Sequence, residues 1–404
     1  MPPAAPSMVV TGMGAWCAGA GDVPSLWRNA VEGKVSLEVR SLARVPTSIA
    51  VYAAASPHFS PSDQRLVRGA DRSASLALAA VREAWKQSAP PAELDRRRVG
   101  VFIGTSRGPV GLNDYNSHHP AKRPSAALYS TLSSIAGIVA GSIRAEGCAL
   151  MLSATCASGA AALHQALQTL RSGALDIAVV GGVDAPLVDS LLEQMVLAGI
   201  TSSRTTPDAL RPFDRHRCGT VIGEGAAFLV LETAPFAQAR GAVILGEVAA
   251  VALRCQSSQR AGLDPDGRLI QEVIRASLAE ADLQSRDIDL LHLHGTATRM
   301  NDASEGRAMR AVFGTAKEQP HAWASKAITG HTLGASSLFQ VVLTLEALRH
   351  GVIPRTVNCT EPDPDCSLRL NTASPISLPL RSGLCSTSGF WGNYSSIIIR
   401  RNSV

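Results

Sequence analysis

The sequence predicts an α/β protein whose sheets are covered by helices on both faces, and three observations predict it. Apolar segments of strand length alternate with amphipathic helical segments along most of the chain. Of its 404 residues, 46% are hydrophobic and only 18% charged, enough for a large core in roughly two or three domain-sized units. A glycine-bounded, small-residue turn precedes a long helix twice, at TCASGAAALHQALQTL and at TGHTLGASSLFQVVLTL. That doubling suggests two related halves meeting near residue 240.

Taken in order, SMVVTGMGAW reads as a strand ending in a glycine turn, and ASLALAAVREAWKQS (74–88) as an amphipathic helix. RVGVFIGTS (98–106) is a strand candidate, and the apolar run 148–152 suits a buried strand. The small-residue stretch 160–170 is helix-forming. Strands follow at DIAVVGGVD (176–184) and GAAFLVLE (225–232), then a helix at LIQEVIRASLAEADL (269–283) and a strand at DIDLLHLHG (287–295). Helices at NDASEGRAMRAVFG (301–314) and GASSLFQVVLTLEALRHG (334–351) precede a closing strand, SSIIIRR (395–401).

Composition excludes several classes. The longest apolar stretches are too short and interrupted to span a bilayer, so no membrane association is expected. MPPAAPSMVV lacks a charged segment followed by an apolar one, so secretion is not indicated. Eight cysteines without CxxC or Cys/His spacing point to reduced thiols in the cytoplasm and to no metal. Net charge is +5, and the basic runs DRRRVG (95–100) and PAKRP (120–124) carry no interleaved aromatics. That reads as solvated surface, with no nucleic acid as partner, and suits an acidic protein partner.

The chemistry-bearing residues start with Cys156, in SATCASGAAAL (153–163). A cysteine there sits on a strand-to-helix turn, where Ser158 and Gly159 relax the backbone and the helix start stabilises a thiolate. Two readings stand, a packed core thiol and a nucleophile. His294, in HLHGTATRMND, lies at the polar end of an apolar strand, from which an imidazole can reach a cleft. His331 lies in SKAITGHTLGAS, a glycine-flanked loop entering a helix. Each taken singly has a hydrogen-bonded structural role as its default. Lys326 is a surface residue on the same default, yet beside a thiol and two imidazoles it would tune their protonation.

ATCASGA, LHGTATRMNDASE and SKAITGHTLGAS together resemble the three active-site motifs of the β-ketoacyl-acyl carrier protein synthases, decarboxylating condensing enzymes of the thiolase superfamily. RPFDRHRCGTVIGEGAAFLVLE (211–232), VVTGMGAW and GVIPRTVNCTEPDPDC (351–366) resemble further segments of that family in the same order. The resemblance implies a thiolase fold, layered αβαβα, with two pseudo-duplicated halves. Residues 1–240 would carry the nucleophilic cysteine, and 241–404 the two histidines and the lysine. It implies Cys156 as acyl acceptor and His294, His331 and Lys326 as its catalytic companions. Thr296 and Thr298 would contact a phosphopantetheine arm, and Asp302 and Glu305 would be structural. The N–H groups of Cys156 and Phe390 would form an oxyanion hole, Phe390 lying in a gating loop. The implied reaction is the decarboxylative condensation of a malonyl thioester with an acyl chain on Cys156, in fatty acid or type II polyketide assembly, polyenes included. No cofactor is implied. The implied partners are an acyl carrier protein and either a second copy or a chain-length-factor-like subunit, across an interface near 124–142. The alternative is a non-catalytic subunit of such a heterodimer, a class that usually lacks the cysteine.

Departures from the family pattern mark where this chain differs. Trp391 replaces a glycine of the gating loop, and Tyr394 stands where asparagine is usual. Gln340 stands where many relatives carry glutamate, which puts a bound monovalent cation in doubt. Cys218 and Thr220 replace the more usual aspartate and phenylalanine. In the stretch PSAALYSTLSS (124–134) Ala126 falls where some relatives place an aromatic plug, and Met195 falls where some place phenylalanine. Small or flexible residues there would open the acyl tunnel to a long, rigid or unsaturated chain.

Overall fold

A computed structural model describes residues 6–119, 126–257 and 264–402. The basic run 120–124 and the first two residues of the 124–134 stretch lie outside the described residues, as does the start of the N-terminal segment. The framework is ten strands and six long helices. In chain order they are β1 (Met8–Cys17), α1 (Arg72–Ser88), β2 (Val99–Gly104), α2 (Ser133–Ile143), β3 (Ala149–Leu152), α3 (Ser158–Arg171), β4 (Ile177–Asp184) and β5 (Gly225–Thr233). Then follow β6 (Gly246–Cys255), α4 (Arg268–Glu280), β7 (Leu290–His292), α5 (Arg299–Phe313), β8 (His321–Trp323), α6 (Ser336–His350), β9 (Ser382–Gly389) and β10 (Asn393–Arg400).

The strands form one sheet in the order β8-β7-β9-β10-β6-β1-β5-β4-β2-β3. Its two ends repeat one topology. β1 pairs antiparallel with β5, β5 antiparallel with β4, β4 parallel with β2 and β2 parallel with β3. The second set, β6, β10, β9, β7 and β8, pairs in the same sequence of directions. The sets join only where Val9 and Val10 face Glu247 and Gly246. Strand alternation then decides the layers. On β5, Phe228 and Val230 join a core with Leu76 and Leu78 of α1 and Ile135 of α2, while Leu229 and Leu231 face the opposite way. There they meet Leu163 and Leu167 of α3, Leu338 and Val342 of α6, and Val251 and Ile397 of the second set. Ile270 and Ile274 of α4 and Met309 of α5 cover the far face with Leu291 and Ile398. Each such buried Leu, Ile or Val contributes about 2 kcal/mol of transfer free energy. The result is helices, sheet, helices, sheet, helices, with α3 and α6, the doubled helices of the sequence, side by side in the middle.

Several elements differ from expectation for identifiable reasons. β1 does not end in a glycine turn but runs on through Gly12 and Gly14. A Cβ there would lie 2.1 Å from the Ala84 carbonyl oxygen and 1.9 Å from that of Ala80, so α1 lies directly on the strand. The 148–152 run is an exposed edge strand rather than a buried one, with Leu150 43% exposed. β7 stops at His292, which releases residues 293–295 from the sheet. No described helix is long and apolar enough to cross a membrane.

Candidate active site

β3 ends at Leu152 and α3 begins at Ser158, and the turn between them holds Cys156, 4% exposed. The strain of that turn falls on Thr155, a β-branched residue at φ 52°, not on Ser158 or Gly159 as expected. The Thr155 hydroxyl donates to the Phe390 carbonyl (3.0 Å), and the Ser158 hydroxyl accepts from the Ala154 N–H (2.9 Å). Gly159 serves packing instead, because a Cβ there would lie 2.5 Å from Leu338 Cδ2 on the neighbouring α6.

The two histidines arrive from the other half. His331 follows Gly330, whose φ of +68° and close approach to Tyr52 admit no side chain. Its N–H donates to the Val221 carbonyl (2.8 Å), which ties it to the loop before β5. Its Nε2 lies 3.2 Å from Cys156 Sγ and its Nδ1 3.0 Å from the Ser336 hydroxyl. His294 lies just beyond β7, its N–H and that of Gly295 donating to the two Glu305 carboxylate oxygens (2.7 and 3.0 Å). Lys326 Nζ sits 3.1 Å from His294 Nδ1 and also donates to the His294 carbonyl. The imidazole centroids are 5.4 Å apart and edge-on.

Burial dominates the electrostatics. It pushes the Cys156 thiol up to about 11, with the Lys326 charge the largest opposing influence. A helix start contributes at most ~2 kcal/mol, about one and a half pK units, so it cannot bring such a thiol below neutrality. Burial thus favours the thiol over the thiolate, against the help of the helix start. Burial, then the Lys326 charge, holds His294 and His331 well below the usual imidazole range, so both are neutral. Burial brings Lys326 down to about 8 against the pull of Glu305, and lifts Glu305 to about 7 and Asp302 to about 6.

An ammonium can only donate, so Lys326 makes His294 Nδ1 the acceptor and puts the ring proton on Nε2. That buried Nε2 makes no hydrogen bond to a described residue. The Ser388 backbone acts on this ring in the direction that favours its proton. The sulfur and the two imidazoles bring one donor atom each within 4.8 Å of one another, a set that could ligate a soft metal ion. It equally suits a nucleophile beside two N–H donors aimed at one carbonyl.

A cavity of about 530 Å³ opens onto these groups and is lined by Thr296, Thr298, Met195, Phe390 and Trp391 among others. The Thr296 and Thr298 hydroxyls are 2.9 Å apart. The remaining sequence candidates lie elsewhere. Asp302 is buried and accepts from the Phe213 N–H (2.8 Å). Gln340 Nε2 is within about 3 Å of the His292, Leu293 and Ser386 carbonyls, so a neutral amide fills that ring of oxygens. Two of the tunnel candidates sit apart from the described lining of this cavity. Tyr394 is packed in the outer core of the second half with its hydroxyl accepting from the Asp264 N–H (2.7 Å), and Ala126 does not line the cavity. Cys218 is exposed and lies 3.2 Å from the Ser202 hydroxyl.

Arg107, Asn301, Ser336 and Ser388 were not singled out from the sequence, yet the first, second and fourth line the cavity. Arg107 follows β2, and the C-terminal ends of parallel strands are where α/β sites gather, a signal that could have found it. Short polar residues such as Ser336 and Ser388 carry no such signal.

Duplicated halves that contribute a buried thiol and two buried imidazoles to one cavity define a covalent acyl-transferring enzyme of the thiolase fold. Residues 5–237 match the family model "Beta-ketoacyl synthase, N-terminal domain", and residues 245–360 match "Beta-ketoacyl synthase, C-terminal domain". The chain belongs to the β-ketoacyl synthase family. It is 31% identical to the tetracenomycin polyketide synthase ketoacyl synthase alpha subunit of Streptomyces glaucescens (98% of this chain, 97% of that one). It is 30% identical to nodulation protein E of Rhizobium meliloti (98% and 99%). Among solved structures, a type II polyketide acyl carrier protein in complex with its ketosynthase bound to the hexaketide matches with TM-score 0.90 at 27% identity (98% and 100%). The ishigamide ketosynthase/chain length factor matches with TM-score 0.88 at 29% identity (99% and 100%). The chain is accordingly a C–C bond-forming acyltransferase, a β-ketoacyl synthase that condenses acyl thioesters with loss of carbon dioxide.

Proposed function

We propose that this synthase extends a polyketide chain delivered by an acyl carrier protein, with Cys156 as acyl acceptor and His294, His331 and Lys326 as its catalytic companions. The observation that carries the reading is the convergence on one cavity of Cys156 Sγ, His331 Nε2 and His294 Nε2, the last without a hydrogen-bond partner among the described residues. It favours a catalytic subunit over a non-catalytic partner. The polyketide assignment draws on relatives and structural neighbours whose names carry it.

In the first half-reaction the thiol attacks the carrier thioester while neutral His331 takes its proton at Nε2. The oxyanion is stabilised by the N–H groups of Cys156 and Phe390, the latter already favouring a negative charge at this sulfur. Collapse expels the carrier thiolate, which takes the proton from His331. His331 then exchanges its ring proton from Nδ1 to Nε2 with solvent, Ser336 turning to donate to Nδ1. A malonyl thioester enters over Thr296 and Thr298, and its carbonyl accepts hydrogen bonds from both Nε2–H groups. The bond to the carboxylate breaks, carbon dioxide leaves, and the enolate carbon attacks the acyl thioester on Cys156. The product is a β-ketoacyl carrier two carbons longer, and Cys156 leaves as a thiolate that regains its proton from water. These steps use neither metal nor organic redox cofactor.

Incubation with an acyl carrier thioester, followed by intact mass measurement, is expected to show one acyl group that is absent from Cys156→Ala. His294→Ala is expected to acylate yet lose malonyl decarboxylation by roughly a hundredfold or more. Wild type that never acylates, or His294→Ala that decarboxylates normally, overturns the assignment.

A further inference from the structure

The groups that carry the condensation have a second chemical capability, set by which of their atoms are free. Cys156, His294 and His331 are 4%, 1% and 4% exposed, and each brings one donor atom within 4.8 Å of the other two. On His331 the free nitrogen is Nε2, already 3.2 Å from Cys156 Sγ, while Nδ1 faces the Ser336 hydroxyl at 3.0 Å. On His294 it is again Nε2, because Lys326 occupies Nδ1, and this buried nitrogen hydrogen-bonds to no described residue. Among the described residues no other group of His, Cys, Asp and Glu side chains converges in this way.

One thiol and two imidazoles without a carboxylate form a soft donor set, which selects zinc over magnesium or calcium. Around tetrahedral zinc, sulfur and nitrogen ligands stand about 3.3–3.6 Å apart, so the donors need to close by at most about 1.5 Å, within reach of small ring rotations. The cavity of about 530 Å³ leaves the fourth position to water. The Ser336 hydroxyl accepts from His331 Nδ1–H, the outer hydrogen bond that orients a ligating imidazole. Charge balances as well. Coordination displaces the Cys156 thiol proton and the His294 Nε2 proton, and His294 takes a proton at Nδ1 from Lys326, which stays beside it as an amine. Two of the three displaced protons leave to water and one stays on His294, so a dication enters without changing the net charge of the buried site.

We propose that Cys156, His294 and His331 bind one zinc ion, which reversibly holds the enzyme inactive. A single ion blocks all three groups. The sulfur electron pair is engaged by the metal, His331 Nε2 has no pair with which to take a proton, and His294 Nε2 has no proton to donate. An acyl group on Cys156 turns the sulfur into a thioester, a poor ligand, so the acyl-enzyme and the zinc-enzyme exclude one another. The zinc site rests on the donor set alone, and only its inhibitory effect rests on the acyl-accepting role of Cys156.

The test titrates the whole chain, without a histidine tag and stripped of metal, with zinc in competition with a chromogenic chelator. Wild type is expected to bind one zinc per chain, and Cys156→Ala and His294→Ala each to raise the dissociation constant at least roughly a hundredfold. Ser336→Ala removes only the partner of His331 Nδ1 and is expected to raise it roughly tenfold. Cobalt in place of zinc is expected to give wild type the intense near-ultraviolet band of a thiolate–cobalt bond, absent from Cys156→Ala. A thermal unfolding midpoint within a few degrees of wild type checks that the variants fold, and the cobalt band of wild type stands independently of any variant. One equivalent of zinc is expected to slow acylation by a carrier thioester at least roughly tenfold, with full recovery on adding chelator. An unchanged dissociation constant in Cys156→Ala, or a cobalt spectrum without the thiolate band, overturns the site. Tight zinc binding with undiminished acylation overturns the inhibition. Wild type that fails to acylate even without zinc overturns the acyl-accepting role, and the inhibition with it, while leaving the zinc site standing.

Discussion

Behind each imidazole stands a different partner, Lys326 for His294 and Ser336 for His331, and the difference fits what each ring does. Lys326 as an ammonium only donates, so His294 is held in one tautomer with its proton on Nε2. The Ser336 hydroxyl donates or accepts at Nδ1, so His331 is free to receive a proton at Nε2 in one half-reaction and to donate from it in the next. Lys326 is brought down to about 8 by burial. As pH rises through that value the group becomes an amine, which accepts as well as donates and no longer fixes the His294 tautomer. Malonyl decarboxylation by wild type is therefore expected to decline on the alkaline side with a midpoint near the pKa of Lys326. Lys326→Met, lacking the titrating group, is expected to be slower at neutral pH and to lack that limb. A pH–rate profile for carbon dioxide release checks both, and an identical alkaline limb in the variant would exclude Lys326 as its source.

At the level of elements, legibility followed hydrophobic pattern. β2, β4, β5, α1, α4 and α6 stood out because each presents a continuous or periodic apolar face. β9 did not, since SGLCSTSG is short of large apolar residues, although it is buried between β10 and β7. Thr387 donates to Gln340 Oε1 (2.9 Å), and Ser388 and the Phe390 turn lie at its end beside the cavity. The candidate catalytic residues were legible through their glycine-bounded turns, but the strained position, Thr155, was not, because nothing in the sequence shows that a threonine adopts φ 52°. Trp391 is the second case, at φ 60° and 61% exposed, immediately before Gly392 at φ +71°. A left-handed tryptophan costs about 1–2 kcal/mol, which glycine would not. Trp391 lines the cavity while remaining largely exposed, so we expect it to cover an acyl group on Cys156. Trp391→Gly is expected to fold at least as stably while shortening the lifetime of the acyl-enzyme severalfold through water entry. Intact mass against time after removal of excess thioester measures that lifetime, and an unchanged lifetime would remove the covering role.

The whole molecule has two sheet ends that are not equivalent. β8 and β3 are the outermost strands, and β8 is short and largely buried, whereas β3 leaves Ala149 and Leu150 exposed. Next to β3 packs α2, preceded by Leu132 at 49% and Leu128 at 74% exposure. An unpaired strand edge bordered by exposed leucines is a surface that a soluble chain normally covers, since backbone N–H and C=O groups there await partners. The family resemblance places a subunit interface near 124–142, the same region of the surface. We therefore expect the chain to pair through β3 and α2, edge to edge across a twofold axis, which would make one continuous sheet of two copies. Light scattering on the eluting protein is expected to give twice the 42.2 kDa chain mass at micromolar concentration. Leu150→Lys places a charge on each side of that axis, so like charges face each other and the dissociation constant is expected to rise at least roughly tenfold. The substitution lies outside the catalytic cavity, so a monomeric variant that still acylates would separate assembly from chemistry. A wild-type monomer would instead assign this edge to a different chain, of the kind paired in the ishigamide ketosynthase/chain length factor. A variant with undiminished dimer mass would place the interface on another face.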